Sequence, residues 1–239
     1  MLSIARGELI QIFRNRLVLV TALLLPVAFS AFLINRHELF AEIGSLGYIA
    51  ALALFFVLGI GLYTTTVTTL ASRRQNLFLK RLRSTAAGDA GILTGLLAPI
   101  TAITAVQIAV ILGVLAGVTG RPADPLLLVA AVVSTVVMML ALGLATAGLT
   151  NSPEHAQVTT LPVSVGVVAV AGWVGATGTE DLTLLKRLLP GGSATELVLN
   201  AWNGGVALTD SLILLAPTLA WVIVAIALAS RLFRWEPRR

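Results

Sequence analysis

The sequence predicts an all-α integral membrane protein with six transmembrane helices, on three observations. The chain of 239 residues is 57% hydrophobic and only 11% charged, with a mean hydropathy of +0.97, whereas a soluble globular protein carries about 25% charged residues. Its apolar residues collect into six runs long enough to cross a bilayer. Its basic residues concentrate on alternate connections between those runs, the pattern of a chain held by the positive-inside rule. Six spans of roughly 20 residues with short links fill this length, so 1–239 reads as one membrane domain without a soluble catalytic part. A net charge of +5 in so apolar a chain points to cytoplasmic loops and lipid headgroups and not to nucleic acid. There is no cysteine, which removes disulfides, thiolate nucleophiles and Cys-ligated metals.

Residues 1–16 place Leu2, Ala5, Leu9, Ile12 and Phe13 at spacings of three and four, opposite Gln11, Arg14 and Asn15. That amphipathic pattern predicts an interfacial helix lying in the membrane plane. Residues 17–34 carry no charge and form the first span, read as uncleaved because an amphipathic stretch precedes it and the apolar run continues past Ala28-Phe29-Ser30. The second span, 46–70, ends in a tract containing Thr64, Thr65, Thr66, Thr68 and Thr69. Those hydroxyls suit either a polar cavity wall or bonds back to the carbonyl one turn earlier.

Residues 72–90 read as a helix with Arg73, Arg74, Lys80, Arg81 and Arg83 on one side and Phe78, Leu79 and Leu82 on the other. Flanked by two spans and carrying five bases against the single acid Asp89, it belongs on the cytoplasmic face. The third span, 92–118, contains Pro99 and a GxxxG pattern, Gly113 to Gly117, that permits close helix contact within the chain or between chains. A tight link leads to the fourth span, 126–150, and Asn151-Ser-Pro-Glu-His155 separates it from the fifth, 156–176, which carries Pro162.

The longest connection, 179–205, predicts a helical hairpin on the outer surface. Leu182, Leu184, Leu185, Leu188 and Leu189 suit a short amphipathic helix ended by Pro190-Gly191-Gly192, and Ser193 to Glu196 is a capping-box pattern for a second. The sixth span, 212–232, closes on Arg231, Arg234, Arg238 and Arg239. With both termini cytoplasmic, twelve of the sixteen basic residues fall inside, while Arg36, Arg121, Lys186 and Arg187 fall outside.

Chemistry-bearing patterns are sparse. The apolar bodies of the spans hold no Asp, Glu, Lys or Arg, which argues against a proton- or ion-coupled transporter built on titratable groups. Neither lysine precedes a hydroxyl residue, since Lys80 meets Arg81 and Lys186 meets Arg187; the phosphate loop pattern GxxxxGK[ST] is therefore absent. His37 and His155 fall on opposite sides of the membrane, and no serine sits in a GxSxG elbow. No catalytic, cofactor or metal residues are assigned. Trp202 and Trp235 sit near the expected headgroup levels and Trp173 and Trp221 deeper; the candidate substrate cavity comprises Thr64, Thr65, Thr68, Trp173 and Trp221.

The stretch Leu79-Lys80-Arg81-Leu82-Arg83-Ser84-Thr85 resembles the coupling helix of ABC-2 type transporter permeases, where Leu-x-Arg-Leu-Arg is followed by a small residue and Thr. Asn151 to Ala156 is similar to that family's polar link after the fourth span, and Leu188-Leu189-Pro190 to its outer-loop proline. Departures are Arg73, Arg74, Gln75 and Asn76 where acids alternate with arginines, and Ala86 where proline is common. The resemblance covers the whole chain. It implies a bacterial cytoplasmic-membrane exporter of two permease chains, homo- or heterodimeric, and two ATPase subunits that bind ATP and magnesium. Phe78, Arg81, Leu82 and Arg83 would meet the ATPase, the apolar pair packing and the arginines pairing with acids. The substrate implied is a drug, antibiotic or peptide of hydrophobic or amphipathic character. Lipid, polysaccharide or sodium export within the same family, and an ATP-independent secondary transporter, are the alternatives. Fourteen arginines against two lysines suit a GC-rich bacterial genome.

Overall fold

A computed structural model describes residues 2–85 and 88–236. Among them there are helices and short links without a strand. Helix α1 (Leu2–Arg14) precedes α2 (16–35). After α3 (His37–Ile43) come α4 (Leu46–Gln75), α5 (Phe78–Arg83), α6 (Asp89–Thr119), α7 (Pro125–Leu149) and α8 (Pro153–Thr177). Two short helices, α9 (Thr183–Leu188) and α10 (Gly192–Asn203), lead to α11 (Leu208–Leu232). Five of these, α4, α6, α7, α8 and α11, are long and apolar enough to cross a membrane. A sixth span is counted if Ile4–Arg14 and Leu19–Asn35, bent by 88° from one another, are taken as one broken unit.

The bundle is built around α4, whose apolar stretch is buried over most of its length. Helices α7, α8 and α10 pack against it, and α11 lies along α7. Ile49, Leu54, Phe55, Leu58, Leu62 and Tyr63 on α4 are all fully buried, so over Leu46 to Tyr63 this helix is apolar on every side, as a helix surrounded by other helices must be. The outer faces of α6, α7 and α8 instead expose valines such as Val110, Val133 and Val165. Outward-facing apolar side chains are the arrangement suited to a lipid solvent.

Two π-helical segments, Leu19–Leu24 in α2 and Val57–Tyr63 in α4, pack on each other. A π turn loosens the i−4 bonding pattern and leaves carbonyls for other donors. Thr64 Oγ1 donates to the Gly59 carbonyl at 3.0 Å, and Gln107 Nε2 of α6 donates to the Leu23 carbonyl at 3.3 Å.

Several expectations change. The single helix over 72–90 is divided: α4 runs on to Gln75, Leu77 takes a left-handed φ of 56°, and α5 begins at Phe78. A left-handed residue cannot continue a right-handed helix, so Arg73 and Arg74 belong to the end of α4 while Lys80, Arg81 and Arg83 belong to α5. Ala86 and Ala87 within that range, Met1, and Arg238 and Arg239 at the carboxyl end lie outside the described residues.

The two helices of the hairpin over 179–205 differ in burial: the first is largely exposed, and the second packs into the bundle. The second helix, α10, packs against α4, α7, α8 and α11 and buries Gly192, Ser193, Ala194, Thr195, Leu197, Val198, Ala201 and Trp202. Small residues in its first turn allow that close approach. Its N-cap is Gly191 at φ 89° instead of Ser193, so no capping box forms. Ser193 pairs with Thr218 at 3.1 Å, and Glu196 accepts from Arg187 at 2.6 and 2.7 Å and from Thr179 at 2.9 Å. Glu196 holds the Arg187 guanidinium above its ordinary range through that hydrogen-bonded pairing.

The preceding helix, α9, is inverted relative to the amphipathic expectation. Leu182, Leu184, Leu185 and Leu188 are exposed while Lys186 is 2% exposed. Lys186 Nζ donates to Thr177 Oγ1 at 2.8 Å and the Gly178 carbonyl at 2.7 Å, at the carboxyl end of α8. A cation there meets the negative end of the helix dipole.

Candidate functional site

Residues of α1, α2, α4 and α8 surround a cavity of about 620 Å³, within the range of small-molecule sites. On α4 the wall is Thr64, Thr65, Thr68, Thr69, Ser72 and Arg73, a spacing that puts hydroxyls on one helix face. Across the gap, α8 supplies Glu154, Gln157, Thr160, Leu161 and Ser164, again one face at spacings of three and four. Helix α1 adds Glu8, Gln11 and Ile12.

Two threonines of the tract, Thr64 and Thr68, both bond back to their own helix and line the cavity. Thr68 Oγ1 donates to the Thr64 carbonyl at 2.8 Å and Thr64 Oγ1 to that of Gly59. On the opposite wall Thr160 donates to the Ala156 carbonyl at 2.6 Å and Ser164 to that of Thr160 at 2.8 Å.

Three charged residues belong to the wall. Glu8 is 5% exposed and meets Arg73 through two bonds, Nε to Oε1 at 2.7 Å and Nη2 to Oε2 at 2.8 Å. This fork-to-carboxylate geometry is the strong form of an ion pair. Glu154 lies in the first turn of α8 and is exposed. Glu8 was not singled out from the sequence. Its position four residues before Ile12, at the edge of the apolar stripe of α1, was the available signal.

Below the cavity the basic residues divide by role. The Arg73 guanidinium stands 5.5 Å over the Phe78 ring, tying α4 to α5. Arg74 is 3% exposed and donates to the carbonyls of Thr150 and Arg234, drawing together the end of α7 and the carboxyl-terminal segment. Arg83 pairs with Asp89 at 3.2 Å and stacks 5.1 Å from the Trp235 ring, while Lys80 reaches Glu236 at 3.1 Å. Arg81 is exposed, with a hydrogen bond of 3.4 Å to the Asn76 carbonyl.

Of the expected contact set, Arg81 and Arg83 face solvent, whereas Phe78 and Leu82 are half-buried against the core of this chain. The exposed apolar residue at this point is Leu77, at 44%. Of the expected cavity set, Thr64, Thr65 and Thr68 come together, but Trp173 and Trp221 do not line that cavity. Trp173 stacks under Lys186 at 5.1 Å, and Trp221 Nε1 donates to the Leu188 carbonyl at 2.8 Å, so both serve the α9 connection. Trp202, expected near a headgroup level, is 4% exposed within α10. Gly113 and Gly117 have no atom within 4 Å of where a Cβ would stand, so the GxxxG face makes no close contact within the chain. Among the described residues no cluster of three or more His, Cys, Asp or Glu is placed to hold a metal ion.

No protein-family model matches the chain, and no curated protein matches it.

Proposed function

We propose that this chain is the permease subunit of an ATP-driven ABC-2 type exporter, moving a hydrophobic or amphipathic drug, antibiotic or peptide out of a bacterial cell. A separate ATPase supplies the energy and holds ATP and magnesium. In this reading α1 lies in the cytoplasmic membrane plane, α5 is the coupling helix, both termini are cytoplasmic, and a second permease chain completes the pathway. The observation that carries the reading is Arg73. One side chain lines the cavity, grips Glu8 of α1 and stands over Phe78 of α5. A displacement of α5 by an ATPase therefore reaches the cavity wall through one residue and one helical turn. Rigid elements carrying a local push into a rearranged interface are an established form of switching.

The test is co-expression with ABC-type ATPase subunits from the same genome, purification through a tag on this chain, and an assay of vanadate-sensitive hydrolysis. The expected result is a stable complex that hydrolyses ATP, and an Arg81→Glu variant that inserts normally but no longer couples hydrolysis to transport. Failure of any ATPase to co-purify would sink the proposal. Arg81 is the cleaner probe, because reversal of Arg83 also breaks the contacts to Asp89 and Trp235.

One observation favours a second reading. Glu8 and Glu154 bring carboxylates to the cavity, as a proton-coupled transporter requires. Transport that persists without an ATPase and stops with an ionophore would decide for it.

A further inference from the structure

The cavity wall has a chemical polarity beyond being hydrophilic. A hydroxyl carries one proton and two lone pairs. Thr64, Thr68, Thr160 and Ser164 each spend that proton on a backbone carbonyl of their own helix. Their oxygens therefore meet the cavity as acceptors. The cation of the wall, Arg73, is engaged by Glu8 through two bonds, so that pair contributes no net charge. Glu154 then leaves the wall with one negative charge in excess. Ile12, Val18, Ile60 and Leu161 supply an apolar side. Such a site asks for a ligand rich in donors, positive at one end and apolar at the other. An ammonium, with three donors and no acceptor, meets all of these demands and can also bond the amide oxygens of Gln11 and Gln157; a carboxylate or phosphate head finds donors only in such amide and hydroxyl groups and meets a like charge at Glu154.

We infer that this cavity binds an amphiphile bearing a primary ammonium group, its head among the acceptor oxygens of α4 and α8 with Glu154 as counter-ion, and its apolar part toward Leu161 and Ile60. The ammonium has two sources, a soluble amine or the ethanolamine headgroup of a membrane lipid. For its place in transport the inference rests on the exporter reading, but binding itself needs this chain alone.

The experiment uses the full chain in phosphatidylcholine nanodiscs, titrated with dansylcadaverine, a fluorescent primary amine, with protein-free discs subtracted. The neutral N-acetyl derivative is the matched control. Saturable binding of the amine is expected, with the acetylated form weaker by about tenfold, the scale of a charge-assisted hydrogen bond. Glu154→Gln should weaken the amine by about the same factor and leave the acetylated form unchanged. Thr68→Val, which keeps shape and removes an acceptor, should weaken the amine alone. Leu161→Trp, at a half-exposed position, fills the apolar side and should weaken both forms, which locates the site. Equal binding by E154Q and wild type overturns the inference. So does an L161W variant that binds both forms as wild type does, since the charge would then act at the surface and not in the cavity. Phosphatidylethanolamine added to the discs should compete if the lipid is the occupant; without competition the occupant is a soluble amine. Amine binding without an ATPase complex would sink the exporter reading and leave this site standing, and a working complex without amine binding would do the reverse.

Discussion

Glu8 shows how one residue changes meaning once it is folded. In the sequence it is one of eleven acids; in the structure it is nearly buried and bidentate to Arg73. Removing one partner of a buried pair strands the other charge, typically at a cost of about 3–5 kcal/mol. Glu8→Gln is expected to lower stability toward the smaller figure because Arg73 retains some exposure, 14% of its side chain, and the charge-swapped pair E8R/R73E should recover part of the loss; thermal unfolding in detergent measures both. Lys186 is the matching case at the α9 connection. Its ammonium satisfies Thr177 and the Gly178 carbonyl, so Lys186→Met, which keeps the apolar stem, should cost about 1–3 kcal/mol. A variant as stable as wild type would show that water replaces the amine there. Gly175 shows a steric demand: a Cβ there would collide with the Tyr48 ring.

At the scale of elements, the break between α4 and α5 decides which basic residues work inside the protein and which face outward. Leu77 holds the left-handed conformation at that break, which costs a non-glycine residue about 1–2 kcal/mol. Leu77→Gly is therefore expected to raise stability by about 1 kcal/mol, read as an increased melting temperature; a fall would mean that the exposed leucine packs against something beyond this chain. Helix α6 presents the opposite case. With open space beside Gly113 and Gly117, replacing both by leucine should leave the stability of the single chain within about 0.5 kcal/mol of wild type. The polar link after α7 also gains a role, since Arg74 bonds the Thr150 carbonyl and so fixes that link to the base of α4.

For the molecule as a whole, the arrangement is one of layers around α4. Helices α7, α8 and α10 cover it, and the remaining long helices turn apolar faces outward. The absence of cysteine makes orientation directly testable with single introduced cysteines and an impermeant thiol reagent on whole cells. Residues 38 and 181 are expected to label from outside and residues 76 and 154 only after permeabilisation; labelling of all four from one side would overturn the six-span topology.

Legible from residue order alone were the all-helical class and long helices apolar enough to cross a membrane. Those features follow from hydropathy, helix period and charge, which act over a window of neighbours. Packing between distant parts of the chain is what buries α10, turns the leucines of α9 outward and Lys186 inward, and sets Trp173 and Trp221 apart from the threonine wall. It also pairs Glu8 with Arg73 across 65 positions. Each of those outcomes depends on which groups arrive from distant parts of the chain. In a membrane, moreover, an apolar face is equally at home against lipid or against another helix, so its sequence does not say which way it turns. Polar groups decide instead, because a buried charge or hydroxyl must find a partner, and the partners of Glu8, Arg74 and Lys186 are known only once the fold has brought them near.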